Sequence, residues 1–183
     1  MTMKFSNLSY LVLSVAMLAQ PVTAQQQKHK PAGDAAPMMV MDRPTFVSVV
    51  SSSNEFEIKS SELALQNAES ADLKDAAKMI IADHQKAGEK LKGILDKKGE
   101  PLPSPIVLAP KQQKMMDQLQ TAKGKDFDML YLDMQVQAHM EAIALFRTYA
   151  GSGDDQTVVG FAKETLPSLE THLSHVKMVS IEH

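Results

Sequence analysis

An alternation of apolar residues at steps of four and three, between Leu73 and Ile94, constrains the fold of this chain more than any other feature. The positions in this stripe are Leu73, Ala77, Ile80, His84, Ala87, Leu91 and Ile94. The spacing places these side chains on one face of a helix, the face that packs against other helices. His84 is the polar member. A buried imidazole needs a hydrogen-bond partner or a metal ion, because leaving it unsatisfied costs about 1–3 kcal/mol.

The composition indicates an all-α protein. Aromatic residues make up 5% of the 183 residues, tryptophan is absent, and the apolar residues are mainly those that favour helices. The net charge of −3 without a Lys/Arg cluster argues against nucleic-acid binding. The absence of cysteine excludes disulfides, thiolate metal sites and a cysteine nucleophile.

The first 24 residues have the pattern of a signal peptide. Lys4 supplies the positive charge, Leu8 to Ala19 form the apolar run, and Val22 to Ala24 form a small-residue cleavage site. The apolar run is too short for a membrane-spanning helix, which needs about 20 residues. We therefore predict an exported chain with no transmembrane segment after cleavage.

Residues 25–44 lack helical periodicity and are predicted to form a flexible tether before a bundle domain at 45–181. The tether contains a histidine and several methionines: His29, Met38, Met39 and Met41. A disordered tail is the favoured interpretation of this segment, with a loose soft-metal sequence as the alternative.

Three further segments carry helical stripes. The first helix is expected after Pro44, with Thr45 as its cap. The second, which contains the stripe around His84, should end at Gly99, and four prolines then exclude a helix until a short one begins at Lys111. The last two helices are expected at Asp126 to Ala150 and after a GSGDD loop, the latter kinked or divided at Pro167. The sequence thus predicts a four-helix bundle with a short extra helix in the connection between its second and third long helices.

Each of the four long helices has one metal-competent side chain on its inward stripe: Glu57, His84, His139 and His172. Counting about 1.5 Å per residue places Glu57 and His84 at the same height, whereas His172 falls roughly 9 Å from the level of His139. Together the four residues would make a site suited to Zn²⁺, Fe²⁺, Mn²⁺ or Cu²⁺. The alternative is a buried Glu–His layer that only fixes the packing of the bundle.

Other chemistry is poorly supported. The Glu-x-x-His motifs of dinuclear bundle sites are absent, as are phosphate-binding glycine loops, G-x-S-x-G and H-E-x-x-H. No catalytic residue is predicted.

The remaining acidic and histidine candidates are expected on solvated faces or in the tail. They are Asp83, Glu141, His175 and His183. Core packing is expected of Met79, Met129, Met134, Met140 and Met178, with a thioether copper site as the minor alternative.

Four strings, in this order and spacing, resemble the DUF4142 family of exported bacterial proteins, which is placed among ferritin-like bundles. They are FVSVVSSSNEFEIKSSELALQNA (Phe46 to Ala68), MIIADHQKAGEKLK (Met79 to Lys92), FDMLYLDMQVQAHMEAIALF (Phe127 to Phe146) and FAKETLPSLETHL (Phe161 to Leu173). Glu57, His84, His139 and His172 match the family's glutamate and histidines, whereas Ser53 and Ser61 stand where the family commonly has glycine. The resemblance implies a ferritin-like four-helix bundle in the periplasm or at the outer membrane. It implies no established activity.

Overall fold

The computed structural model describes residues 41–181, which form five helices and no strand. The helices are α1 (Arg43–Asn67), α2 (Ala71–Asp96), α3 (Pro110–Thr121), α4 (Gly124–Ser152) and α5 (Gln156–Ile181). The predicted all-α bundle of four long helices, with a short extra helix in one connection, is confirmed. The predicted signal peptide and most of the predicted tether, including His29, Met38 and Met39, lie outside the described residues.

The predicted cap of α1 is wrong. The helix begins at Arg43, and the side chain of Asp42 accepts a hydrogen bond of 2.8 Å from the backbone N–H of Thr45. Asp42 is the better cap because its carboxylate accepts the free N–H groups of the first turn and complements the helix dipole. Thr45 therefore lies within the first turn of the helix as a hydrogen-bond partner of the cap.

Packing of the long helices creates two separate hydrophobic clusters. Phe56, Ile80 and Tyr131 belong to the first cluster, whereas Leu91 and Phe146 belong to the second. In α2, α4 and α5 the polar member of the predicted stripe lies between the buried residues of the two clusters, and in α1 Glu57 directly follows Phe56 of the first cluster. The bundle therefore contains a polar layer between two apolar regions.

The predicted stripe of α2 is confirmed, since all of its members are buried or half-buried. Among the methionines, Met134 is buried as predicted and Met79 is half-buried. Met129, Met140 and Met178 were predicted in the core, but each is more than 50% exposed. At the start of α4 the interior is filled by the larger rings of Phe127 and Tyr131, which direct Met129 outwards.

Asp128 joins α4 to the turn between α1 and α2. Its buried carboxylate accepts hydrogen bonds of 3.1 and 3.2 Å from the backbone N–H of Glu69, and one of 3.0 Å from that of Ser70. Both peptide groups lie where α1 has ended and α2 is about to begin, so no helical carbonyl is available to them.

We predict that Asp128→Asn lowers the free energy of unfolding by about 1 kcal/mol, because a neutral amide is a weaker acceptor than a carboxylate. Urea unfolding followed by circular dichroism measures this change. Asp133→Asn, on an exposed position of the same helix, is the matched control. Equal stability of the two variants would contradict the role assigned to Asp128.

Candidate metal centre

Three histidines from three helices converge in the polar layer. His84 of α2, His139 of α4 and His172 of α5 are 7%, 0% and 1% exposed. Their ring centroids form a nearly equilateral triangle with sides of 5.6, 5.5 and 5.3 Å. One ring nitrogen of each histidine lies within 4.8 Å of the others. The structure thus brings together the three histidines that the stripes predicted, including His172.

The hydrogen bond of His139 fixes which of its nitrogens carries hydrogen. Its Nδ1 is 2.9 Å from the backbone oxygen of Gln135, one helical turn earlier. A carbonyl oxygen can only accept, so Nδ1 must donate. Burial lowers the pKa of His139 to about 4, which keeps the ring neutral near pH 7. Its Nε2 therefore has a free lone pair.

His172 is held in the complementary orientation. Its Nε2 is 2.9 Å from Oδ2 of Asp83, and a carboxylate oxygen accepts the hydrogen. Its Nδ1 then faces Nε2 of His139 at 3.3 Å. Two lone pairs at this distance repel each other unless a cation lies with them. That cation is either a proton or a metal ion.

His84 supplies a third free nitrogen. Its Nδ1 is 3.1 Å from Oδ1 of Asn54, an acceptor, so Nδ1 donates. Its Nε2 is buried and has no hydrogen-bond partner within residues 41–181. Burial first, and then the neighbouring His139 and His172, hold the pKa of His84 well below its ordinary value. His84 is therefore also neutral, the form in which imidazole binds metals.

These observations fit a metal ion. Each ring uses one nitrogen to donate to a carbonyl, a carboxylate or an amide oxygen, as metal-ligating histidines commonly do. Two nitrogens bonded to one tetrahedral ion at about 2.0–2.1 Å are roughly 3.3 Å apart. The separation of His139 Nε2 and His172 Nδ1 matches this value.

Glu57 lies beside the group of three histidines. Its Oε1 is 3.7 Å from Nδ1 of His139, the nitrogen on the opposite side of that ring from Nε2, and its Oε2 has no partner within the described residues. Burial raises the pKa of Glu57 to about 8, although a hydrogen bond with Gln135 works in the other direction. Its carboxyl is therefore mainly protonated near pH 7. The role of Glu57 as a fourth ligand stays a prediction.

Three supporting residues were not found from the sequence. Asp83 was predicted on a solvated face, and 46% of its side chain is exposed. Its carboxylate also accepts the hydrogen bond from Nε2 of His172, which the prediction missed. Asn54 and Gln135 were not singled out. Gln135 precedes His139 by four residues and thus shares its helix face, a signal that was available in the spacing. Asn54 carried no such signal, because its partner His84 lies on another helix.

The other predicted polar residues lie outside the cluster. Glu141 is exposed, as predicted, and pairs with Lys111 at 2.5 Å. His175 is half-buried and is not a member of the histidine group. His183 lies outside the described residues.

A family model for a domain of unknown function, DUF4142, matches residues 28–179, which is most of the chain. The chain belongs to the DUF4142 family. The resemblance read from its four strings is thereby confirmed. A search of curated proteins returned no match to this DUF4142 chain.

Solved structures share the fold of this DUF4142 chain at low sequence identity. CopM in its Cu(II)-bound form is 20% identical, with a TM-score of 0.67 over 79% of this chain and 99% of CopM. CopM in an Ag-bound form obtained by soaking is 19% identical, with a TM-score of 0.64 over 79% and 98% of the two chains. A DUF305 protein from Streptomyces coelicolor is 16% identical, with a TM-score of 0.64 over 75% and 89%. These similarities establish the shared helical fold.

Within residues 41–181, no helix combines the length and the apolar character that a membrane span requires.

Proposed function

We propose that this protein binds one transition-metal ion through His84, His139 and His172. The observation that carries the proposal is the arrangement of the ring hydrogens. Each ring donates from one nitrogen to an oxygen outside the triangle, which leaves His84 Nε2, His139 Nε2 and His172 Nδ1 as lone-pair donors. Three imidazole nitrogens in a buried layer are a ligand set for a borderline metal ion.

Copper is the first metal to test. Imidazole nitrogens suit Zn²⁺, Fe²⁺, Mn²⁺ and Cu²⁺, and Cu²⁺ binds such donors most tightly of the divalent first-row ions. CopM, which shares the fold, has solved structures in Cu(I)-, Cu(II)- and Ag-bound forms. Copper and silver are ligands of CopM. Their binding to CopM supports the choice of copper as the first metal to test here. The chemistry of the three histidines is compatible with the same class of ion.

The supporting residues have distinct roles in this proposal. Asp83 fixes the orientation of His172 and, being half-exposed, places a negative charge between solvent and the buried rings. Asn54 and the backbone of Gln135 orient the other two rings. Glu57 is the fourth protein group at the site. It becomes a ligand or a charge-balancing neighbour when a cation lowers its pKa.

We infer from the signal-peptide pattern of residues 1–24 that the protein is exported and handles a metal ion in the cell envelope. In the same proposal the tether predicted at residues 25–44 leads into the metal-binding bundle, whose first helix begins at Arg43. Secretion assays with and without residues 1–24 test the export step.

Calorimetry on the chelator-treated mature chain, residues 25–183, tests the binding proposal directly. Titration with Cu²⁺, Zn²⁺, Fe²⁺ and Mn²⁺ should show one equivalent bound for at least one ion, together with a rise in melting temperature. Absence of both effects for all four ions would overturn the proposal.

A structural role for the same layer is the second candidate, and the hydrogen bonds of the three rings favour it. Asn54, Gln135 and Asp83 satisfy one nitrogen of each ring without any metal. On this reading the protein is a non-catalytic envelope interaction protein, and His84→Leu gives a folded and more stable bundle. If the layer holds a metal, His84→Leu instead abolishes the stabilisation caused by the ion.

We predict that Asp83→Asn weakens metal binding about tenfold. The amide keeps the size of the side chain, but it removes the charge that increases the basicity of His172. Competition titration against a chromogenic chelator measures the affinity. Asp96→Asn removes the same charge near the end of the same helix and is expected to leave the affinity unchanged. Equal affinities of these two variants would contradict the role of Asp83.

A further inference from the structure

A cavity of about 900 Å³ adjoins the histidine layer. Its walls are mainly apolar and belong largely to the second hydrophobic cluster, with Val50, Leu91, Phe146 and Phe161 among the lining residues. Leu102 and Ile106 of the α2–α3 connection also line it. Close-packed protein interiors contain few voids larger than a water molecule, whereas pockets for small ligands have volumes of roughly 300–1,000 Å³.

The cavity also reaches the histidine layer, where its lining is polar. Glu57 and His84 both line it, and each has one buried atom without a partner in the described part of the chain, Oε2 and Nε2 respectively. An apolar space with a few convergent polar groups is the usual form of a small-molecule site. Such a site is suited to a molecule that is apolar along most of its length and polar at one end.

Charges around the cavity select against an anionic molecule. Besides Glu57, four acidic residues line it, Glu55, Asp83, Glu89 and Glu141, against two lysines, Lys92 and Lys111. Lys111 is already paired with Glu141. A carboxylate or phosphate entering this cavity would therefore meet an excess of negative charge. An uncharged polar group is therefore favoured.

We propose that the cavity binds an uncharged amphiphile, an alkyl or aromatic molecule with a single hydroxyl group that hydrogen-bonds to Glu57. A hydroxyl suits this position because it donates to a carboxylate and also accepts from a carboxylic acid. The apolar body lies against Leu91, Phe146 and Phe161. This site uses Glu57 and the apolar walls, and it does not require that a metal be bound to the histidines.

Two probes of matched shape test the proposal on the chelator-treated mature chain. 4-Propylphenol and propylbenzene have the same apolar body and differ by the hydroxyl group. Calorimetry should show one 4-propylphenol per chain, bound about tenfold more tightly than propylbenzene, the difference expected for one hydrogen bond in a buried site. The absence of saturable binding, or equal affinity for the two probes, would overturn the proposal.

Substitutions inside and outside the cavity test where 4-propylphenol binds. Ala142→Phe fills the cavity from α4 and should abolish binding, whereas Ala144→Phe, on the exposed face of the same helix, should leave it unchanged. Glu57→Leu should remove the preference for the phenol while retaining propylbenzene. Circular dichroism verifies that each variant is folded. Binding of 4-propylphenol that is unchanged in folded Ala142→Phe would also overturn the proposal, and metal titration of the same variant reports separately on the histidines.

Discussion

Replacing His139 by leucine lowers the affinity for the metal ion at least about 100-fold. Removal of a group that only supports a ligand typically costs 10–100-fold, and loss of a ligand costs more. His139 is the strongest choice because it is fully buried and faces His172 at 3.3 Å. Leucine fills much of the volume of imidazole. The loss of affinity in this variant therefore reports the loss of the ligand nitrogen and not the creation of a cavity. Competition titration with Cu²⁺ measures the loss.

His175→Leu is the matched control for this experiment. His175 lies on α5 three residues after His172, yet it is not part of the histidine group. Its replacement should change the affinity less than twofold. A similar loss in both variants would indicate that the ion binds elsewhere, and no loss in either would contradict the proposed site.

The second large effect concerns pH and the metal-free protein. Glu57 has a pKa of about 8 in the folded state and an ordinary value of 4.5. Between pH 6.5 and 8 the folded protein therefore holds a proton that the unfolded chain has released. Stability falls as the pH rises through this window, at up to about 1.4 kcal/mol per pH unit, or roughly 2 kcal/mol in all. The decline should end above pH 8, where Glu57 ionises in both states.

The buried histidines act in the opposite sense at lower pH. The lowered pKa values of His84 and His139 mean that the unfolded chain binds protons below pH 6.5 while the folded protein does not. Their contribution to stability is thus present above pH 6.5 and is lost as the pH falls. The stability of the chelator-treated chain should accordingly be greatest near pH 6.5.

Urea unfolding between pH 6.5 and 8 measures the contribution of Glu57. Glu57→Gln keeps the shape of the side chain without its titration, so its stability should be nearly constant across this range. Glu62→Gln, on an exposed position of α1, should retain the decline of the parent protein. A decline of equal size in Glu57→Gln would show that another group causes it.

The sequence was sufficient to predict the fold and the residues of the polar layer, because both depend on local periodicity. Steps of four and three bring His84 and His139 inward wherever the helices form. The same reasoning failed for Met129, since periodicity does not say whether methionine or a neighbouring aromatic ring occupies a crowded interior position.

The height of His172 required three-dimensional information. A count of residues along the helices placed it roughly 9 Å from His139. In the structure α4 extends to Ser152 and α5 begins at Gln156, which reduces the difference. Side chains also lean towards the N-terminus of their own helix. In this antiparallel pair the lean carries His139 away from the α4–α5 connection and His172 towards it, so the two rings meet.

Contacts between side chains of different helices could not be predicted from the sequence either. Asp83 was predicted to be solvated because it lies off the stripe of α2, and almost half of its side chain is indeed exposed. Its other half contacts His172, a residue of α5. Which surface carboxylate reaches a buried ring depends on the rotation of both helices, and no pattern within either helix contains that information.

The three histidines are supplied by segments that lie far apart in the chain, from residue 84 to residue 172, and the last comes from the final helix. A polypeptide emerging in order from a ribosome or a translocation pore therefore contains no complete triangle until α5 has docked against α2 and α4. On the proposed route the protein acquires its ion only where it finishes folding. The identity of the bound ion would then depend on the metals available in that compartment and not on those of the compartment in which the chain is made.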